Sequence, residues 1–294
     1  MDKKIGVVVL NYNDWATTKR FVNHVAKLDV DSIIIVDNCS KDDSVKQLTP
    51  LESDKIKLLV SKNNGGYSAG NNIGLKYLIE HEKVDYVIVS NPDIIFSQEF
   101  ISNGAKCLLR DDDLVSVTGV MKYPSGAFDK HPYLRFINFY QTILEFIIPI
   151  SILFFRPFRK SKYEIDRNVE LQYVDSLPGC LFMIKADFIK KIGFFDEGTF
   201  LYYEEAILGR QIQKNEKKCG IMPSIDYIHD HAKTIGKHFN NINVIKLYNQ
   251  SGFYYYSNYC HINTMEKCLY KVFSWLNIEQ YKIINWFRGK YKKS

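Results

Sequence analysis

Short, almost uninterrupted apolar runs rich in β-branched residues recur through the first 120 positions: IGVVVL at 5–10, IIIV at 33–36, KLLV at 57–60, YVIVS at 86–90 and LVSVTGV at 114–120. Continuous apolarity, without strict alternation, predicts strands covered on both faces, the habit of parallel sheets. Segments of helical length separate them at 15–28, 42–48 and 68–82. Strand and helix therefore alternate as in a doubly wound α/β sheet, which binds ligands at the carboxyl ends of its strands. Residues 1–120 are expected to form a nucleotide-binding half.

The pattern changes at about residues 133–160. The stretch YLRFINFYQTILEFIIPISILFFRPFRKSKY is mostly apolar, contains Glu145 and Pro149, and runs into basic residues. It fits a buried helix pair broken at Pro149 or a helix lying on a membrane interface, and its length only marginally suits a span. The C-terminal stretch KCLYKVFSWLNIEQYKIINWFRGKYKKS mixes Trp275, Trp286 and tyrosines with Lys and Arg. That mixture suits a bilayer surface or a helical cap on the preceding domain.

Composition narrows the class. The 294 residues are 46% hydrophobic and 24% charged, enough to bury a sizeable core. The formal charge of +6 is compatible with phosphate-bearing ligands or an anionic membrane face, with the positive residues dispersed through most of the chain. Six cysteines (Cys39, Cys107, Cys180, Cys219, Cys260, Cys268) lie far apart without a CxxC pair, so neither a zinc cluster nor a disulfide framework is expected. The start, MDKKIGVVVLNYN, is unlike a signal peptide, and a reducing cytoplasmic setting is the expectation.

Polar residues gather where the strands end. Asn11 and Tyr12 follow the first strand, and Asp37 closes the second ahead of Asn38, Ser40 and Asp42. A carboxylate there can accept from a base N–H or a ribose hydroxyl, although an Asp-Asn turn alone explains the same residues. NNGGYSAGNNIG, residues 63–74, precedes a helix whose N-terminus favours anions. It has neither the GxGxxG nor the GK[ST] spacing, which disfavours NAD and ATP. YVIVS ends in Asn91-Pro92-Asp93, a turn in its own right or a place to hold a divalent cation.

Taken in order, VVVLNYN, IIIVDNCSKDDS, NNGGYSAGNNIG and YVIVSNPD resemble the family 2 glycosyltransferases of bacterial polysaccharide synthesis, above all their rhamnosyltransferase-like branch, where NPD replaces DxD. The resemblance continues through residues 178–234, with GFFDEG, YYEEA and YIHDHAKT, and covers about residues 5–235. It implies an α/β GT-A fold, Rossmann-like, with a mixed but mostly parallel central sheet in residues 1–240. Within it 133–165 form an apolar insert and 170–240 the acceptor and catalytic half. Residues 241–294 are then a helical, membrane-suited appendage.

The same resemblance implies roles. Asp37 matches the aspartate that binds base and ribose. Asn11, Tyr12, Asn64, Gly66, Tyr67, Asn71 and Asn91 fall on the nucleotide-sugar site. Asp93 and His229 match ligands of Mg²⁺ or Mn²⁺, His229 being preferred to His231 by its distance to Thr234. Glu204 and Glu205 stand where Glu-Asp is usual, which makes Glu205 the general base and Glu204 its neighbour. Two departures are Ile207, where a second Asp is frequent, and the short spacing to Arg210, which receives no role. The implied activity is inverting transfer of rhamnose or another hexose from a dTDP- or UDP-sugar to a glycan or lipid-linked glycan in capsule or cell-surface polysaccharide synthesis. Its setting would be the inner face of the cytoplasmic membrane, with no nucleic-acid partner. The competing expectation is an inactive nucleotide-sugar-binding or scaffold protein of the same pathway, which turnover by wild type but not Glu205→Gln separates.

Overall fold

The computed structural model describes residues 3–128, 135–147, 165–230 and 242–291. Four parallel strands open the chain: β1 (Ile5–Asn11), β2 (Ser32–Asp37), β3 (Ile56–Val60) and β4 (Tyr86–Ser90), paired in the order β3-β2-β1-β4. Their side chains alternate between two cores. Val7, Val9, Ile33, Ile35 and Ile88 enter one, with Phe21 and Val22 of α1 (Trp15–Val25) and Phe100 and Leu108 of α4 (Gln98–Arg110). Val8, Ile34, Val36, Val87 and Val89 enter the other, with Leu75 of α3 (Gly66–Tyr77). Burial on both faces is the physical reason for the unbroken runs. β3 departs from it: as the edge strand it leaves Val60 exposed.

The remaining sheet is mixed. β8 (Leu181–Lys185) lies antiparallel between β4 and β6 (Leu114–Lys122), and β9 (Lys218–His229) runs parallel to β6. The two short strands β5 (Ile94–Ile95) and β7 (Gln172–Val174) add antiparallel to different halves of β9. An amino end of an antiparallel strand faces the same way as the carboxyl ends of its parallel neighbours. The pairing Ser90↔Leu181 thus brings Gly179 and Cys180 beside Asn91, whose N–H donates to the Cys180 carbonyl at 2.9 Å.

Of the other helices, α2 is Ser44–Leu48 and α5 Phe139–Glu145; α6 (Ala186–Lys191) follows β8 and α7 (Glu204–Lys214) precedes β9. Helix α3 continues into one π-helical turn, Leu78–Glu82, which ends at a left-handed Lys83. The chain finishes in α8 (Ile242–Tyr259) and α9 (Thr264–Tyr291). A third core joins Phe139, Ile143 and Phe146 at α5 to Ile207 of α7, Tyr255 and Tyr256 of α8 and Tyr270 of α9. The start of the apolar insert therefore packs as a core helix against the C-terminal pair, while Pro149 and the basic residues after it lie outside the described segments. Among the described residues no helix is long and apolar enough to cross a membrane, and all six cysteines are free thiols.

Candidate active site

Five chain segments converge at the carboxyl edge of the parallel strands. On one wall, Asn11 Nδ2 donates to Asp37 Oδ1 (2.8 Å) and to Ser40 Oγ (3.2 Å), and Asn11 Oδ1 accepts from Thr18 Oγ1 (2.7 Å). Ser40 N donates to Asp37 Oδ2 (2.9 Å). Asn11 and Asp37 are fully closed off from solvent, whereas Tyr12 is 48% exposed. In this conformation the buried pair fixes the turn after β2, and the Tyr12 side chain stays half-exposed. For Asp37 to reach a ribose hydroxyl, it must exchange one of those internal partners.

The glycine loop forms the floor. Asn38 Nδ2 donates to Asn64 Oδ1 (2.9 Å) and to the Gly66 carbonyl (3.1 Å), and Gly66 N donates back to Asn64 Oδ1 (3.0 Å). Gly66 sits at φ +85°, and a Cβ built there would lie 2.1 Å from the Phe200 carbonyl oxygen. Tyr67 N donates to that same carbonyl (2.9 Å), and the Tyr67 hydroxyl donates to the Gly179 carbonyl. Asn71 Nδ2 returns to the Tyr67 carbonyl (3.0 Å). The loop is thus tied both to the turn after β2 and to the residues entering β8. Asn38 and Ser40 hold these turns by more contacts than turn propensity predicts. Phe200 carries no motif signal at all, because its backbone alone acts.

Helix α7 opens opposite this floor. Tyr202 and Tyr203 both adopt left-handed backbone, φ +75° and +70°, a conformation that bulky residues occupy only under constraint from their surroundings. The constraint is visible: the Tyr203 ring packs 5.1 Å from Tyr248 and 5.3 Å from Tyr255, centroid to centroid, on α8. This kink delivers Glu204 and Glu205 to the first turn of α7. Glu205 retains some exposure, with Oε2 4.0 Å from where a Gly179 Cβ would stand. Glu204 is 8% exposed and its Oε2 has no hydrogen-bond partner. Burial raises both carboxyls, and the charge on Glu205 pushes Glu204 further, to about 8. Glu204, raised by burial and by its neighbour's charge, therefore keeps its proton near neutral pH. Ile207, at the position where a second carboxylate is frequent, is 1% exposed within the third core. Arg210 stacks 3.7 Å from the Phe136 ring and donates to the Tyr255 hydroxyl at 3.1 Å, away from the acidic pair.

That titration has a consequence for stability. Since Glu204 ionises well above its ordinary 4.5 when folded, the native state keeps a proton the unfolded chain releases, and stability falls as pH rises from about 4.5 through about 8. Glu204→Gln removes the slope. The variant is expected to match wild type near pH 4.5 and to exceed it by on the order of 2–4 kcal/mol at about pH 8.5, roughly 5–10 °C in Tm. Melting curves across that range check it, and a pH-independent difference would contradict the buried, protonated carboxyl.

The last wall carries Asp93 and His229. β5 pairs Ile94 with His229, Asp230 N donates to the Asp93 carbonyl (2.9 Å), and His229 Nε2 lies 3.3 Å from Asp93 Oδ2. His229 Nδ1 lies 3.2 Å from Met121 Sδ. Asp93 and His229, 136 positions apart in the chain, are thus brought together, while His231 lies outside the described residues. One carboxylate oxygen and one imidazole nitrogen suit Mn²⁺ or Mg²⁺ only if other oxygens complete the shell. Among the described residues no cluster of three or more His, Cys, Asp or Glu side chains could hold a metal by itself. Cys180 nearby is no nucleophile at neutral pH, because burial pushes its thiol up to about 12.

Residues 6–193 match the sequence model of the family described as Glycosyl transferase family 2. The chain belongs to that family. As a family 2 glycosyltransferase it is 22% identical over 226 residues to the low-salt glycan biosynthesis hexosyltransferase Agl10 of Haloferax volcanii, covering 77% of this chain and 67% of that protein. Among solved structures it resembles GalNAc-T7 with UDP, GalNAc and Mn²⁺ (TM-score 0.56, 13% identity, 87% of this chain), of which it spans about half the length, 51%. It also resembles the mannosyltransferase PcManGT of Pyrobaculum calidifontis with GDP-Man and Mn²⁺ (TM-score 0.60, 12% identity), covering 96% of this chain and 74% of that one. At such identities the likeness establishes the mixed, mostly parallel α/β fold of GT-A type. The two neighbours carry a nucleotide or nucleotide sugar together with Mn²⁺.

Proposed function

We propose that the protein transfers a hexosyl group from a dTDP- or UDP-sugar to a hydroxyl of a glycan or lipid-linked glycan, with inversion, as a step in surface-polysaccharide synthesis. The observation that carries this reading is the acidic pair at the start of α7, where Glu205 Oε2 and the Tyr67 hydroxyl of the glycine loop both lie within 4.0 Å of where a Gly179 Cβ would stand, with the more buried Glu204 beside Glu205. A base must face the attacking oxygen and be ionised when it acts, and Glu205 is the partly exposed member of the pair, next to a Glu204 that burial keeps protonated.

In this reading the nucleotide lies along the turns held by Asn11, Asp37 and Asn38, with its base against Tyr12, and the sugar rests on the loop of Asn64, Gly66, Tyr67 and Asn71 near Asn91. Asp93 and His229 would hold Mg²⁺ or Mn²⁺, with diphosphate oxygens completing its shell; the bound cation would supply charge neutralisation to the leaving diphosphate. Glu205 takes the proton from the acceptor hydroxyl as the new C–O bond forms at the anomeric carbon and the bond to the diphosphate breaks. One displacement by one base inverts the configuration.

The test is nucleotide release from a panel of dTDP-, UDP- and GDP-sugars with Mg²⁺ or Mn²⁺, followed by the anomeric configuration of the product. Release from one donor and an inverted linkage are expected, with Asp93→Ala reducing release at least about 100-fold. A retained configuration would overturn the single displacement. No release and no thermal shift with any nucleotide would point to a binding or scaffold protein.

A further inference from the structure

The surplus of positive charge is not spread as the individual lysines are. Residues 264–294 hold seven Lys and Arg against two Glu, a net +5 of the chain's +6, so the other 263 residues are nearly neutral. Most of these residues belong to α9, and α9 is two-sided. Its inner side carries Tyr270 and Asn277, buried at 1% and 6%; Tyr270 packs against Phe139 and Phe146, and Asn277 Nδ2 donates to the Phe146 carbonyl at 3.0 Å.

The outer side bears Met265, Val272, Trp275, Ile283 and Trp286, each between 54% and 76% exposed. At 3.6 residues per turn these five fall within roughly an 80° arc. Lys271 and Lys282 border the arc on one flank, and Glu279, the acid inside it, is neutralised by Lys282 at 2.7 Å. Two of the three tryptophans of the chain therefore stand in water on a helix whose opposite face is already packed. Soluble surfaces rarely expose such a contiguous stripe.

We propose that this outer face of α9 docks the protein on an anionic lipid bilayer, with α9 lying in the plane of the surface. The charge decides the occupant: an apolar stripe edged by lysines, in a segment holding nearly all the net positive charge, complements negatively charged headgroups over acyl chains. A second copy would bring two such segments of like charge together. Trp275 also lines a cavity of about 740 Å³ between α8 and α9, whose lining includes Gly198, in the segment that leads into Glu204. The proposal stands on surface alone and holds whether or not the donor assignment does.

Vesicle flotation of the full chain tests it without any turnover, using phosphatidylcholine vesicles with and without 30% phosphatidylglycerol (about one anionic lipid in three, enough for surface attraction). Binding to the phosphatidylglycerol vesicles is expected, with at least about tenfold weaker binding to phosphatidylcholine alone or at high salt, and a blue shift of tryptophan emission. Val272→Glu/Ile283→Glu, both on the exposed arc and outside the packed side, should lose flotation at least about tenfold while keeping the wild-type melting temperature. Trp275→Ala should lose part of it. Absence of wild-type binding, binding indifferent to the double variant, or a concentration-dependent dimer abolished by that variant would each overturn the proposal.

Discussion

Glu205→Gln is expected to lower kcat by about 10²–10⁴-fold, the range for removal of a general base, while nucleotide affinity stays within a few-fold. The amide keeps the volume at the start of α7, so the kink at Tyr202 and Tyr203 and the contact region at Gly179 persist; only the carboxylate is lost. The pH dependence carries the stronger signature. Burial holds the Glu205 carboxyl above its ordinary range, so the acid limb of kcat/KM in wild type should lie at higher pH than an exposed glutamate would give, and the limb should vanish in the variant. Nucleotide release across pH, with calorimetric nucleotide binding beside it, checks both. A variant retaining a tenth or more of wild-type turnover would remove Glu205 from the chemistry.

Gly66→Ala should be the most damaging single methyl in the glycine loop. Its cost combines left-handed backbone with a Cβ 2.1 Å from the Phe200 carbonyl oxygen, and neither the loop nor the segment leading to Glu204 can yield without the other. About 2–5 kcal/mol is expected, roughly 10 °C in Tm, together with weakened nucleotide binding. Gly126 gives the control: it has φ +80° and nothing within 4 Å of a built Cβ, so Gly126→Ala should show the backbone strain alone, about 1 kcal/mol. Equal losses at the two positions would mean that the Phe200 contact yields freely.

Much of the first half was legible because its signals are local. A run such as VVVL needs both faces covered, and each motif names the residue that a particular strand delivers to the carboxyl edge. The limits are equally physical. β5 and β7 are too short to leave a pattern, and β8 is antiparallel only because of partners far along the chain, at β4 and β6. Helix α3 begins at Gly66, ahead of the expected residue 68, because the backbone at Gly66 is fixed by Asn64 and Asn38. At the site, Asp93 with His229 was readable from motif order. The left-handed Tyr202 and Tyr203 were not, since tyrosine carries no preference for that conformation and the rings of α8 impose it. Sequence also could not show that Asn11 is saturated by Thr18, Asp37 and Ser40.

The place of β8 bears on how the chain reaches this state. β4 and β6 are synthesised long before residues 181–185 yet are separated in the finished sheet by β8. Until β8 arrives, YVIVS and LVSVTGV each present an apolar edge with open backbone donors and acceptors, which invites pairing with one another or with a second chain. Contacts this distant in sequence also form slowly. A chain that stops before β8 should therefore aggregate, and a ribosome carrying one should be a frequent client of chaperones that shield strand edges.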